Sequence, residues 1–434
     1  MNAQAQAAPW EGVAWAVRAR VLATAFSAIN SLLMLFMLKD NQLGIFLVGQ
    51  NLLQIFQVSD LGASGFLTTH AGDREGQAPG SQALAACSGI AGAVLCIPFL
   101  VFSGLHFLNA QNRPAVTPAL WLFIVAIQSL SYAVAPLLSL ADGLGYHRQA
   151  WQRIFAMEFA GGAGLTFGLL TGSAWTALVV VSLARGVLFP LLMMGLLDLP
   201  KFRGIRSGLR ARRRGALAGW VRDALAIQAT FFWINIAGFV PLRLIVPLVY
   251  QFQGPRAGSM VGIAMLFGSA AMNVATGFSL GAMGRLSVAY ARGRLEEFRA
   301  LLMRVSWASQ ASGVLLLGLA AAAIEGARHC PWNALTARAP DGMIYAPVFA
   351  AYLVTIGAVC PAVALRSTGR DTSAPLVGSL GLLSILLYRM AATLRWTWAV
   401  PVALLLVAVL SLLAFLFHWS RRRAEIRHPA LVRS

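Results

Sequence analysis

The most informative segment of this chain covers residues 43–67 and reads LGIFLVGQNLLQIFQVSDLGASGFL. A second segment, residues 262–286, reads GIAMLFGSAAMNVATGFSLGAMGRL and lies 219 positions further along (262 minus 43). The two segments end in LGASGFL and LGAMGRL, which agree at five of seven positions. Both are long apolar runs interrupted by small and polar residues. We interpret them as equivalent helices of an internal repeat.

The repeat carries a polar stripe along each of these two helices. The stripes are Gln50, Gln54, Gln57 and Asp60 in the first helix and, at the same shift, Ser269, Asn273, Thr276 and Ser279 in the second. Spacings of four, three and three residues place side chains on one side of a helix. Polar side chains are costly against lipid, so we expect both stripes to face a shared cavity between two halves of the protein. The alternative is that they only join helices by hydrogen bonds.

The composition excludes a soluble fold. Of the 434 residues, 58% are hydrophobic and only 11% are charged, with a mean hydropathy of +0.71, whereas a globular protein has about 25% charged residues. The sequence predicts an all-α, polytopic membrane protein of about twelve transmembrane helices in two six-helix lobes related by the repeat. The predicted spans are 21–38, 43–69, 83–107, 118–142, 153–172, 174–199, 224–250, 259–284, 305–324, 344–366, 375–394 and 397–418. Very short connections predict tight hairpins for the fifth and sixth spans and for the last two.

The formal net charge of +19 would suggest nucleic-acid binding in a soluble chain. Here most of the basic residues fall on one side of the membrane if the N-terminus is cytoplasmic, so the positive-inside rule explains the charge and no nucleic-acid partner is expected. We expect both termini to be cytoplasmic. The predicted units are an N-terminal lobe (1–200), a basic cytoplasmic linker (201–222), a C-terminal lobe (223–420) and a basic cytoplasmic tail (421–434). The linker either attracts anionic lipid head groups or only anchors the topology.

Charged residues within spans are costly and therefore candidates for function. Arg243 lies between two prolines in the seventh span, with Asn235 at helical spacing before it, and we expect it to hold an anionic group, unless it snorkels or forms a structural pair. Asp60 is either an anion or proton site in the cavity or a salt-bridge partner of Arg18 or Arg20 at the cytoplasmic mouth.

One further charged pair lies in the fifth and sixth spans. Counting residues places Arg185 and Glu158 about eight positions apart in depth, roughly 12 Å at the helical rise, so a direct bridge between them is not expected.

Several soluble-enzyme motifs are absent from the sequence. There is no GxxxxGK[ST], HExxH or paired CxxC motif, so no ATP hydrolysis or metalloprotease chemistry is indicated. The four cysteines suggest neither a disulfide framework nor a zinc site, and the six histidines form no ligand cluster. No cofactor or metal is expected, and the chain is not predicted to be an enzyme.

Three segments resemble the polysaccharide flippases (O-antigen or exopolysaccharide, Wzx-type) of the MOP superfamily, which groups multidrug, oligosaccharidyl-lipid and polysaccharide transporters. Residues 43–76 are similar to that family's second span, with an Asp-Leu-Gly near the cytoplasmic end. Residues 279–304 resemble its loop after the eighth span, and residues 365–377 resemble its loop after the tenth.

The resemblance implies a V-shaped pair of lobes, a cavity lined by the first, second, seventh and eighth spans, and alternating access. It implies a cargo of undecaprenyl-diphosphate-linked oligosaccharide, turned from the inner to the outer leaflet of a bacterial cytoplasmic membrane for cell-surface polysaccharide biosynthesis. The polar stripes would replace the water contacts of the sugars. Arg243 and the mouth residues Arg18, Arg20 and Arg285 would supply positive charge for the diphosphate. Membrane lipids, a coupling proton or cation and other polysaccharide-assembly membrane proteins are the remaining expected partners.

Two other functions compete with this prediction. The nearer is a multidrug or organic-cation exporter of the same superfamily, whose cavity should hold carboxylates. The chain offers Asp60 and either Glu158 or Asp142 for this role, but no acidic cluster in the first span. The more distant is an integral-membrane glycan polymerase or ligase. Such an enzyme needs a large outer loop, whereas the longest one predicted here spans only about residues 325–343.

Overall fold

A computed structural model of the chain is entirely helical within its described residues. These are 9–58, 64, 67, 78–108, 118–144, 146–196, 198–199, 242–291, 293–329, 338–367, 374–394 and 396–427. The described α-helices are α1 (Pro9–Met37), α2 (Asp40–Gln54), α3 (Ala78–Leu108), α4 (Pro118–Gly143), α5 (His147–Leu170), α6 (Ala174–Met194), α7 (242–253), α8 (Pro255–Ala291), α9 (Leu295–Arg328), α10 (Gly342–Ser367), α11 (Ala374–Thr393) and α12 (Ala399–Arg427). The predicted linker 201–222 and the start of the seventh predicted span lie outside the described residues.

Nine of the described helices are long and apolar enough to cross a membrane. The prediction of an all-α polytopic membrane protein is therefore confirmed. Leu, Ile, Val, Phe and Ala supply the long apolar runs from which these helices form. Proline is the first residue of α1, α4 and α8, where its missing N–H costs no hydrogen bond and its fixed φ suits the helix.

Several helix boundaries differ from the predicted spans. The second span was predicted as one helix over 43–69, but α2 ends at Gln54 and continues as a 3-10 turn over Ile55–Val58. Helices α8 and α9 are longer than predicted, because the charged segment around residue 295 continues the helical backbone outside the apolar window. Glu296 and Glu297 lie in the first turn of α9, where acidic side chains favour the helix dipole.

Helix pairing repeats between the two halves of the chain. Within α1–α6, the second helix packs on the third, the third on the fourth, the fourth on the sixth and the fifth on the sixth; the same four pairings recur within α7–α12. The halves meet where α1 and α2 pack against α8. This pattern supports two lobes related by an internal repeat, and the lobe boundaries at 200 and 223 stay predictions.

The two predicted hairpins are present. Helices α5 and α6 are joined through Gly172, whose φ of 70° is readily adopted by glycine. Ser173 caps α6 by accepting a hydrogen bond from the Thr176 N–H at 3.3 Å. The turns α1–α2, α5–α6 and α7–α8 lie at the same end of the bundle, which we call the turn end: the Gln42 side chain accepts from the Ala174 N–H at 3.0 Å.

Candidate functional site: a cationic cavity between the lobes

A cavity of about 410 Å³ lies between the two lobes. Residues of eight helices line it: α1, α2, α4, α5 and α6 from the N-terminal half and α7, α8 and α10 from the C-terminal half. Neither lobe therefore forms the cavity alone. Its polar lining residues are Arg20, Ser27, Asn30, Gln50, Asn51, Gln54, Ser64, Gln128, Ser131, Tyr132, Ser139, Glu158, Arg185, Arg243, Ser269, Asn273 and Tyr352. A polar cavity of this kind holds water and offers hydrogen bonds to a polar ligand.

The two polar stripes contribute to this cavity from opposite lobes. Gln50 and Gln54 line it from α2, and Ser269 and Asn273 line it from α8. The side-chain amide oxygen of Gln54 (Oε1) is buried and accepts no hydrogen bond from the described residues. Buried polar atoms normally have partners, so this oxygen is available to a ligand or to water.

The other predicted residues of the stripes, and Asn235 of the seventh span, are not seen to line the cavity. Thr276 is not among the cavity-lining residues, and its hydroxyl donates to the Asn273 carbonyl of its own helix at 3.3 Å. Gln57 lies in the 3-10 turn, but its side chain lies outside the described residues. Asp60 and Asn235 also lie outside them.

An ion pair on the N-terminal wall contradicts the depth estimate made from residue counting. Arg185 Nη2 lies 3.3 Å from Glu158 Oε2. The helices are antiparallel and turn between Leu170 and Ala174, so Glu158 lies twelve residues before the end of α5 (170 minus 158) and Arg185 eleven after the start of α6 (185 minus 174). The two residues are therefore at equal depth. The estimate of eight positions was wrong: counted from the turn, the two residues differ by one position.

Arg20 lies near this ion pair on α1. Its guanidinium carbon is 6.0 Å from the centre of the Trp151 ring, and it interacts electrostatically with Glu158. Arg18, two residues earlier, is exposed and lies over Trp15 at 5.1 Å. Arg285 is in the last part of α8 with its side chain outside the described residues. Arg20 lines the cavity, and Arg18 does not.

Arg243 lines the cavity from the second residue of the described part of α7. It interacts electrostatically with two tyrosines, Tyr132 of the N-terminal lobe and Tyr352 of α10. The Tyr352 hydroxyl forms a 2.7 Å hydrogen bond with the Ser269 hydroxyl, and the Tyr132 ring stacks on Phe56 at 5.4 Å. All three residues line the cavity.

These tyrosines were not predicted from the sequence. A tyrosine in an apolar span reads as an ordinary large side chain, so only the packing of α4 and α10 identifies it as a cavity residue. Asn30 was also missed: it donates to the Gly162 carbonyl at 3.3 Å and accepts from the Thr166 hydroxyl at 2.8 Å. Its signal was a lone amide within the first apolar span.

The lobes contact each other closely at the turn end. A Cβ on Gly44 would lie 2.7 Å from the Tyr250 ring, and one on Gly262 would lie 2.7 Å from Leu47. Arg338 precedes α10 and donates to the Leu35 and Leu38 carbonyls at the end of α1, at 2.5 and 2.7 Å. Since α1 and α10 belong to different lobes, this arginine connects the lobes across the turn end.

The charge of the described cavity lining is positive. Three arginines (Arg20, Arg185 and Arg243) and one glutamate (Glu158) give a sum of +2 (three minus one). Arginine presents a planar fork of donors that matches carboxylate and phosphate oxygens. Together with the amides and hydroxyls, the cavity is suited to a ligand that is polar and negatively charged.

Comparisons with known proteins establish the fold. No protein-family model and no curated protein matches the chain. Among solved structures, the eukaryotic MATE transporter AtDTX14 superposes with a TM-score of 0.71 at 10% identity, over 97% of this chain and 98% of that one. An outward-facing multidrug resistance MATE family transporter of the MOP superfamily gives 0.66 at 10% identity, covering 96% of both chains.

A third neighbour is a MOP superfamily transporter from Pyrococcus furiosus Vc1, described as having a binding pocket of reverse polarity that suggests a different function. It gives a TM-score of 0.64 at 10% identity over 96% of both chains. The chain therefore has the fold of MATE transporters. The resemblance predicted from the sequence agrees with these neighbours, which are transporters, two of them described as members of the MOP superfamily. None of the three is described as a polysaccharide flippase.

Proposed function

We propose that this protein is an alternating-access transporter that flips undecaprenyl-diphosphate-linked oligosaccharide from the inner to the outer leaflet of a bacterial cytoplasmic membrane. The observation that carries the proposal is the charge of the cavity: three arginines face one glutamate. A lipid-linked diphosphate needs this positive charge. An organic cation would be repelled by it.

The remaining lining supports the sugar part of the cargo. A sugar head group is too polar to cross hydrocarbon, because each hydroxyl that loses water without a new partner costs about 1–3 kcal/mol. Gln50, Gln54 and Asn273 offer amide donors and acceptors along the cavity. The lipid tail would stay in the bilayer, so only the head group would need to enter.

The contacts between the lobes at the turn end fit one state of an alternating-access cycle. Under the predicted topology this end faces away from the cytoplasm, so the structure corresponds to a state closed on the outer side. Rocking of the lobes would break the contact of Arg338 with α1 and open that side. We include in the proposal a coupling proton or cation, for which Asp60 is a candidate, and other polysaccharide-assembly proteins as partners.

A second candidate function is a multidrug or organic-cation exporter. The fold comparisons favour it, because the named neighbours are MATE transporters and one is a multidrug resistance transporter. Glu158 would then be the carboxylate that meets the cation. In the structure Glu158 is already paired with Arg185 at 3.3 Å, which leaves less negative charge for a cationic drug.

The proposal is tested by the sidedness of lipid-linked oligosaccharide in cells depleted of this protein. Spheroplasts are treated with an external glycosidase, and the accessible fraction is compared with the total extractable material. We expect inner-face accumulation that the wild type and Arg243→Lys reverse and Arg243→Ala does not. Arg389→Ala serves as the matched control, because Arg389 is exposed on α11 away from the cavity.

The opposite outcome would favour the exporter. If sidedness is unchanged and the depleted cells become sensitive to cationic dyes, the flippase function is wrong. Membrane abundance and thermal unfolding of each variant are measured in parallel, so that a variant that fails to fold is not mistaken for one that fails to transport.

A further inference from the structure

The N-terminal wall of the cavity brings two arginines toward one carboxylate. Arg185 and Glu158 are 3.3 Å apart, with 28% and 19% of their side chains exposed. Arg20, from a third helix, interacts electrostatically with the same Glu158. The cluster therefore has one more positive than negative charge, at a place that a ligand in the cavity reaches.

The glutamate does not satisfy both arginines. The Nε atoms of Arg20 and Arg185 are buried and have no hydrogen-bond partner among the described residues. The single Arg185–Glu158 contact is longer than the 2.7–2.9 Å or so that is typical of a charge-assisted hydrogen bond. Unpaired buried donors are rare in native proteins, so these two are available to another acceptor, from a ligand or from water.

The backbone holds both arginines in place. A Cβ on Gly161 would lie 2.5 Å from Arg185 Nε, and a Cβ on Gly277 would lie 3.2 Å from Arg20 Cγ. The side chains thus lie directly on helix backbone where glycine leaves room. A Trp151 ring below the Arg20 guanidinium restricts it further. Preorganised donors of this kind bind an anion with little loss of side-chain entropy.

We propose that Arg20 and Arg185 form an oxyanion subsite that Glu158 occupies in the empty transporter and partly releases when the substrate binds. This inference rests on the proposed function. The ligand is a carboxylate or phosphate group of the cargo. Arg243 lines the same cavity from the other lobe, so the cavity offers a further cationic side chain to an anionic cargo.

The proposal predicts opposite effects of two substitutions. Arg185→Gln removes a donor and weakens anion binding. Glu158→Gln removes the internal anion that competes with the ligand. We therefore expect the affinity for the anion to rise by about 3- to 10-fold, where tenfold corresponds to about 1.4 kcal/mol of binding free energy. Loss of folding cannot produce the second result, because a damaged protein would bind more weakly.

The test is isothermal titration of the purified full-length protein at low salt. The probes are a glucuronic-acid disaccharide, its neutral glucose counterpart and inorganic pyrophosphate. The matched control is Arg153→Gln, because Arg153 lies on the same helix as Glu158 but donates to the Leu192 and Gln149 carbonyls and does not line the cavity.

The two anionic probes separate the possible sources of the ligand group. If Glu158→Gln tightens and Arg185→Gln weakens binding of the acidic disaccharide, the subsite takes an acidic sugar. If pyrophosphate alone responds in this way, the subsite takes the lipid diphosphate. If neither anion responds, or if Glu158→Gln weakens binding, the proposal is overturned.

Failure of this inference is distinguishable from failure of the proposed function. If Arg243→Ala abolishes flipping in cells while both anions bind Arg185→Gln and Glu158→Gln as they bind the wild type, the subsite is wrong and the flippase function stands. If the affinities change as expected but depletion leaves lipid sidedness unchanged, the anion subsite stands and the flippase function is wrong.

Discussion

Replacing Arg338 with alanine is expected to open the turn end of the protein. Arg338 donates two hydrogen bonds to the Leu35 and Leu38 carbonyls, and these carbonyls lie at the negative end of the α1 dipole. A hydrogen bond to a charged group contributes about 1.5–3 kcal/mol, and the side chain is only part-buried, so we assign the pair about 2 kcal/mol in total. This changes the closed-to-open ratio roughly 30-fold. An open population of about 1% would rise to roughly a quarter.

The assay is a spin-label distance measurement between the lobes at that end. Labels at Thr171 and Thr393, both exposed, are introduced in a background without the four native cysteines. We expect a second, longer distance in Arg338→Ala. The control is Arg328→Ala, because Arg328 pairs with Glu325 on its own helix at 3.1 Å and does not cross the lobes. An unchanged distribution in Arg338→Ala, or an equal change in the control, would refute the reasoning.

Two further substitutions test the packing around the cavity. Gly268→Ala would place a Cβ 2.1 Å from the Tyr352 ring, so we expect overpacking to lower the free energy of unfolding by about 1–3 kcal/mol. The assay is thermal unfolding in detergent. The control is Gly318→Ala, which has nothing within 4 Å of the added Cβ and should be neutral or slightly stabilising. Trp121→Phe removes the 2.9 Å hydrogen bond from the fully buried indole to the Leu100 carbonyl, and we expect a loss of about 1–3 kcal/mol in the same assay. Equal midpoints for Gly268→Ala and Gly318→Ala, or a Trp121→Phe protein as stable as the wild type, would contradict these assignments.

The sequence by itself determined the helical membrane architecture. Bilayer thickness requires about twenty apolar residues per helix, and this requirement is local, so runs such as 118–142 and 375–394 give helices with nearly the predicted ends. The repeat between 43–67 and 262–286 likewise predicted two related halves. Polar stripes at helical spacing indicated which side of α2 and α8 avoids lipid, because helical periodicity is also local.

Only the tertiary structure decided which side chains meet. The Arg185–Glu158 pair depends on how α5 and α6 rotate about their axes, because equal depth alone does not bring two side chains into contact. The tyrosines beside Arg243 and the contact of Arg338 with α1 depend on how the lobes rotate and pack against each other. Hydrophobicity determines that a helix is inserted in the membrane. Its rotation and its depth relative to its neighbours come from close contacts between side chains that are distant in the sequence.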